Sequence, residues 1–147
     1  PQYYFNSRGK KEYTQLMRDI FRYEDHLLPT KLHKKILDFH TATIVTTNYD
    51  NLIELAAEEN GEFIRVISQD IDMPYRKSRR ELIKMHGDFE HDNFVLKEDD
   101  YLNYSRNFRL IETYVKSYWM TSPVTASLMA CPSISQPLIT FMSPAAI

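Results

Sequence analysis

Two short stretches hold the side chains most suited to chemistry, and each closes an apolar run. Thr46-Thr47-Asn48-Tyr49-Asp50 ends the β-branched stretch "TATIVTT", and His86-Gly87 ends "ELIKM". An amide, a carboxylate and an imidazole are groups that orient a substrate or move a proton. Their position matters as much as their type, because ligands of open α/β sheets bind outside the carboxyl ends of the strands. Plainer readings exist for each. Asp50 suits the cap of a following helix and Asn48 an Asx-type turn. A lone strand-end histidine is often only hydrogen-bonded to backbone, and Gly87 suits a tight turn.

These residues need a scaffold, and the hydrophobic pattern supplies one. In "KKEYTQLMRDIFRYE", Tyr13, Leu16, Met17, Ile20 and Phe21 recur at helical spacings, so an amphipathic helix is expected. A second helix should follow Pro29, with Leu32, Ile36, Leu37 and Phe39 on it. "TATIVTT" reads as a buried strand. Asp50 then caps a helix with Leu52, Ile53, Leu55 and Ala56 on its apolar face, stopped by Asn60-Gly61. "EFIRVIS" is the next expected strand, and Asp70 to Arg80 a polar connection. "ELIKMHGD" and "NFVLK" predict two more strands, and Glu98 to about Tyr118 one long helix. Strands alternating with helices in this order predict an α/β, Rossmann-like domain with a largely parallel sheet flanked by helices.

Composition narrows the function classes. With 147 residues, one domain and one core are expected. The net charge of −2 carries no basic excess of the kind that binds phosphate backbones, so nucleic acid is not an expected partner. No window resembles a spanning helix or a secretory signal, so no membrane association is expected. A single cysteine, Cys131, permits neither an intrachain disulfide nor a four-cysteine zinc module and fits a cytoplasmic location. The last 31 residues, Ser117 to Ile147, contain no Asp, Glu, Lys or Arg and four of the seven prolines. At the usual ~25% of charged residues, such a run has a chance of roughly one in ten thousand. The tail is therefore read either as a buried or irregular end or as a frameshifted or truncated one.

"TIVTTNYDNLIE", "IKMHGD" and "FVLKEDDYLNY", in that order, resemble the sirtuin-like domain of bacterial silent-information-regulator-two-like proteins. The resemblance runs from roughly Lys31 to Met120. Sirtuins carry a T-Q-N-I-D motif and a later H-G, and Thr46 to Asp50, His86 and Gly87 match them position by position. The spacer of 35 residues between Asp50 and His86, without cysteines, resembles the defence-associated branch more than the zinc-bearing deacylases.

The resemblance implies an NAD+ hydrolase of anti-phage defence, with NAD as substrate and no zinc. It implies that Asn48 holds the ribose and the attacking water, that His86 is the general base on a ribose hydroxyl, and that Asp50 orders the loop. Thr46, Thr47 and Gly87 would line the cofactor side, and Tyr49 would pack. The family also opens with a G-A-G-x-S loop and closes with an apolar strand and an F-I-G-Y-S-L-x-D-like loop. The three glycines, Gly9, Gly61 and Gly87, do not supply the first. The expectation is a fragment incomplete at both ends: residues 1–120 a partial NAD-binding domain, and 121–147 an atypical uncharged, Pro-rich tail, frameshifted or disordered. Such a chain would be inactive in isolation, and the longer protein would carry a fused C-terminal sensor domain or form a homo-oligomer. The alternative is a non-catalytic module for oligomerisation or partner binding.

Three further patterns call for plainer readings. His26, His33 and His40 are spaced by seven with Pro29 between the first two, and zinc sites on one helix need spacings of three or four. "YRKSRR", residues 75–80, is read as a solvated connection, with phosphate or phage-protein contact as the sharper alternative. "KEDDY" is read as a strand exit whose acids favour the positive end of a helix dipole.

Overall fold

The structure, a computed structural model, describes residues 1–21, 27–74 and 78–121. Three short strands, β1 (Thr43–Thr46), β2 (Arg65–Ile67) and β3 (Glu81–Lys84), form one parallel sheet in the order β1-β3-β2. Among the described residues six α-helices accompany them, α1 (Gln2–Ile20), α2 (Lys31–Asp38), α3 (Leu52–Glu59), α4 (Glu98–Leu102), α5 (Tyr104–Asn107) and α6 (Arg109–Thr121), together with a short 3-10 turn at Asp70–Asp72. This is the expected α/β class with a parallel sheet. Among the described residues, no helix is long and apolar enough to cross a membrane.

The strand pleat sorts side chains onto two faces. Ile44 and Leu82 meet Ile36 and Leu37 of α2 and Ile53, Ala56 and Ala57 of α3 on one face. Val45, Ile67 and Ile83 meet Phe108, Ile111 and Val115 of α6 and its approach on the other. The central strand is buried along its whole length, as parallel strands covered on both faces are. A third, aromatic cluster joins Tyr13 and Met17 of α1 to Tyr49, Phe89 and Phe94. Since Tyr49 follows β1 and the two phenylalanines follow β3, α1 packs against the loops at the carboxyl edge of the sheet.

The helix ends follow local rules. Thr30 and the His33 side chain make a capping box at the start of α2, which gives His33 a structural task. At the end of α3, Glu62 N–H donates to Ala57 O and Gly61 N–H to Glu58 O, a Schellman closure with Gly61 at φ +68°. The first helix begins earlier than expected, at Gln2, and kinks at Gly9.

Several expectations are corrected. "NFVLK" is not a strand. Val95 N–H donates to His86 O, while Leu96 and Lys97 N–H donate to the Asp100 carboxylate, so these three amides are satisfied without a ladder. Its apolar residues are buried because they plug two cores, Phe94 the aromatic cluster and Val95 the cluster beneath α6. The expected long helix is three pieces. Asn103 Nδ2 bonds back to Asp99 O, and Asp70, from the connection after β2, accepts Leu110 and Ile111 N–H and so caps α6 as a separate helix. Arg80, the last of the basic run, is not solvated: its guanidinium is buried on Leu37 O, Thr41 O and Glu62. Residues 75–77 of that run, His26 and the tail beyond Thr121 lie outside the described residues.

Candidate functional site

Parallel pairing of β1 with β3 puts Thr46 beside Lys84, and Met85 N–H donates to Thr46 O just past the last pair. The segments holding Asn48 and Asp50 and those holding His86 and Gly87 therefore leave neighbouring strands at the same carboxyl edge. The first loop is built by its own polar groups. Thr46 Oγ1, in a side chain only 4% exposed, accepts Asn48 N–H at 3.1 Å. Asp50 Oδ1 accepts Leu52 N–H at 3.1 Å, so Asp50 caps the first turn of α3 although the backbone places Asn51 at the N-cap position. Tyr49 turns inward, its hydroxyl donating to Val95 O and its ring edge-on to Phe21, Phe89 and Phe94. Thr47 and Asn48 are half-buried beside it.

Beneath this loop lies a residue the sequence reading passed over. Lys84, 3% exposed on the central strand, donates to Asp50 O at 2.7 Å and pairs with Glu54 at 2.5 Å. It ties the loop after β1, the first turn of α3 and the strand that leads to His86. Burial pushes the Glu54 carboxyl above the usual range, and the Lys84 ammonium offsets only part of that. Glu54 Oε2 is buried with no partner among the described residues. A charged residue in the apolar run "ELIKM" was the available signal.

His86 is half-buried, and burial alone, with no neighbouring charge contributing, lowers its pKa and keeps the imidazole neutral near physiological pH. Among the described residues its ring receives and makes no hydrogen bond. It lies instead against the rings of Tyr101 and Tyr104. Gly87 adopts φ +76°, and a Cβ there would collide with the backbone of Asn93. The Asn93 side chain holds that approach in place, accepting Asp88 N–H and donating to Ser68 O. The structure thus gives Gly87 a steric reason to be glycine.

The turn after Gly87 carries another cluster that the sequence reading missed. Asp88 Oδ1 accepts both His91 N–H and His91 Nδ1 at 2.9 Å, and Ser68 Oγ lies 3.1 Å from the same ring nitrogen. Burial raises the Asp88 carboxyl, but hydrogen bonds to it from His91 and Ser68, with the Lys84 charge, outweigh that and hold the pKa below the ordinary value. Asp88, Glu90 and His91 bring possible metal-ligand atoms within 4.8 Å of one another, with the buried Asp88 oxygen already engaged inside the turn.

Residues 42–129 match a family model described as a SIR2-like domain. The match spans Thr46 to Asp50, His86, Gly87 and both tyrosines beside the histidine. The chain is also similar to "Defense-associated sirtuin 2" of Bacillus subtilis, 39% identical over 128 residues, 84% of this chain and 12% of that protein. It is similar to "NAD(+) hydrolase ThsA" of Cytobacillus dafuensis, 34% identical over 118 residues, 78% of this chain and 24% of that one. The protein of that name from Bacillus cereus (strain MSX-D12) is 35% identical over 121 residues, 79% of this chain and 24% of its own. The chain thus spans 12% to 24% of the lengths of these three relatives.

Proposed function

The chain belongs to the SIR2-like domain family, and on that premise we propose that it is the part of an NAD+-cleaving domain that carries the ribose-holding loop and the general base, acting in the cytoplasm in bacterial defence against phage. The observation that carries this reading is the placement of His86 at the carboxyl end of the central strand, one strand from the Asn48 loop, with no hydrogen bond to its ring among the described residues; burial, which lowers its pKa, favours the neutral form. A general base needs its acceptor nitrogen uncommitted and unprotonated.

The bond to be broken joins nicotinamide to ribose and passes through an oxocarbenium-like state. Asn48 holds the ribose and the attacking water, and His86 takes the proton from a ribose hydroxyl. Asp50 orders the loop, through the Leu52 N–H that its carboxylate accepts and the Lys84 ammonium that its carbonyl accepts. Thr46 and Thr47 frame the nicotinamide side, Thr46 also fixing the turn at Asn48. Gly87 allows the backbone to turn directly behind the base.

The pyrophosphate is the weak point for the 147-residue chain. Gly9 kinks α1, Gly61 closes α3 and Gly87 turns against Asn93, so no glycine is left to open a phosphate-binding loop at a helix N-terminus. Lacking a handful of charge-assisted hydrogen bonds at ~1.5–3 kcal/mol each means orders of magnitude in affinity. The assay is nicotinamide release from millimolar NAD+. The 147-residue chain should turn over negligibly, and the longer protein should do so readily, losing about 10²-fold or more on His86→Ala or Asn48→Ala. Full turnover by His86→Ala in the longer protein overturns the mechanism. Robust turnover by the 147-residue chain overturns the dependence on flanking sequence. A longer protein that neither binds nor cleaves NAD+ would instead support a non-catalytic oligomerisation or partner-binding module.

A further inference from the structure

A catalytic histidine usually takes its orientation from a hydrogen bond to the ring nitrogen that is not reacting. His86 has no such partner among the described residues, yet its ring is enclosed. Tyr101 of α4 stands edge-to-face to it with centroids 5.9 Å apart and planes at 87°. Tyr104 of α5 does the same at 6.4 Å and 81°. The two walls differ in how firmly they are held. Tyr104 is fixed at both ends: its hydroxyl donates to the carbonyl of Met85, the residue before His86, at 2.9 Å, and its ring stacks on Phe108 at 5.2 Å and 13°. Tyr101 is 52% exposed, beside the more exposed Leu102.

We propose that Tyr104 and Tyr101 form an aromatic clamp that orients the His86 imidazole, Tyr104 as the fixed inner wall and Tyr101 as the solvent-facing outer wall. Perpendicular packing against two ring systems restricts the imidazole's rotation about its side-chain bonds, which is the task a carboxylate partner performs elsewhere. The outer wall also keeps water from that ring. Both are positioning residues, and their catalytic consequence rests on the reading of His86 as the base. The clamp itself can be tested without turnover.

The measurement is the titration of the His86 imidazole protons by NMR in the 147-residue chain, with His86→Gln identifying its signal among the five histidines. Tyr101→Ala should raise the His86 midpoint toward the ordinary value of about 6.5, as solvent reaches the ring. Tyr101→Phe, which keeps the wall, should leave the midpoint where it was. Because Tyr101 is half exposed, its removal should leave the amide spectrum away from the site unchanged. An unchanged His86 midpoint in a folded Tyr101→Ala chain overturns the clamp, and so does a Tyr101→Phe chain that shifts as far as Tyr101→Ala. In the longer enzyme, Tyr101→Ala should lower kcat about tenfold with little change in KM, and Tyr101→Phe should restore it. If the midpoint moves as expected while His86→Ala keeps full turnover, the clamp stands and the base assignment fails.

Discussion

Replacing Lys84 by methionine keeps the aliphatic stem and removes the ammonium, which isolates the charge from the packing. Lys84 is 3% exposed, and its ammonium serves two acceptors, Asp50 O at 2.7 Å and the Glu54 carboxylate at 2.5 Å. Without it Glu54 is left with an uncompensated charge in a site where burial already raises its pKa. Removing one partner of a buried pair costs about 3–5 kcal/mol, whereas replacing both by apolar groups of similar volume is often neutral. Lys84→Met should therefore lower the melting temperature by roughly 10–20 °C, and Lys84→Met/Glu54→Leu should recover most of that loss. The pH dependence has a definite sign. In Lys84→Met the folded-state pKa of Glu54 lies above its unfolded value of about 4.3, so the unfolded chain loses its proton first as pH rises. The destabilisation should accordingly grow as pH rises through that window and shrink toward acid. Urea unfolding followed by circular dichroism, on all four members of the cycle, measures these effects. A single variant within about 1 kcal/mol of the parent, or a double variant as unstable as the single, would refute the reasoning. Neither variant retains the donor to Asp50 O, so in a chain extended to the length of its relatives the double variant should stay impaired in the proposed NAD+ cleavage despite its recovered stability.

Urea unfolding also reads out the two glycine turns, the α6 cap and the His86 titration. Gly61→Ala and Gly87→Ala both force a positive φ on alanine, but only the second drives its Cβ into backbone. The first should cost about 1–2 kcal/mol and the second clearly more, by at least another ~1 kcal/mol; equal losses would contradict the close approach of Asn93. Asp70→Ala removes the distant cap of α6 and should cost about 1–2 kcal/mol, with no loss expected if Leu110 and Ile111 find other acceptors. Burial lowers the folded pKa of His86 below its unfolded value of about 6.5, so the unfolded chain binds that proton first as pH falls. The stability associated with neutral His86 should be complete above that pH and lost as pH falls through the folded value. His86→Gln should flatten this acid-side decline, and an identical pH profile would show that burial does not govern the group.

Features that neighbouring residues enforce were legible in the linear chain. The β-branched run before Asn48 gave a strand, Asp50 a cap two residues before Leu52, and Asn60-Gly61 a helix stop, because each depends on backbone preferences or hydrogen bonds spanning a few positions. Alternation of strands with helices likewise made a parallel α/β sheet the expected class, and with it the carboxyl edge as the place for Asn48 and His86. Tertiary structure decided what depends on partners far along the chain. "NFVLK" has strand composition but found its acceptors in Asp100 and His86, and the helix expected from Glu98 was divided where Asp70, some 40 residues earlier, supplied a cap. The placement of β3 between β1 and β2 could not be read from strand order along the chain. That placement sets Lys84 beneath the Asn48 loop and brings α4 and α5 against His86. A lysine in an apolar run and two tyrosines on successive short helices have no assigned task until the fold supplies their neighbours, since burial and hydrogen bonding are properties of the packed chain and not of its local sequence.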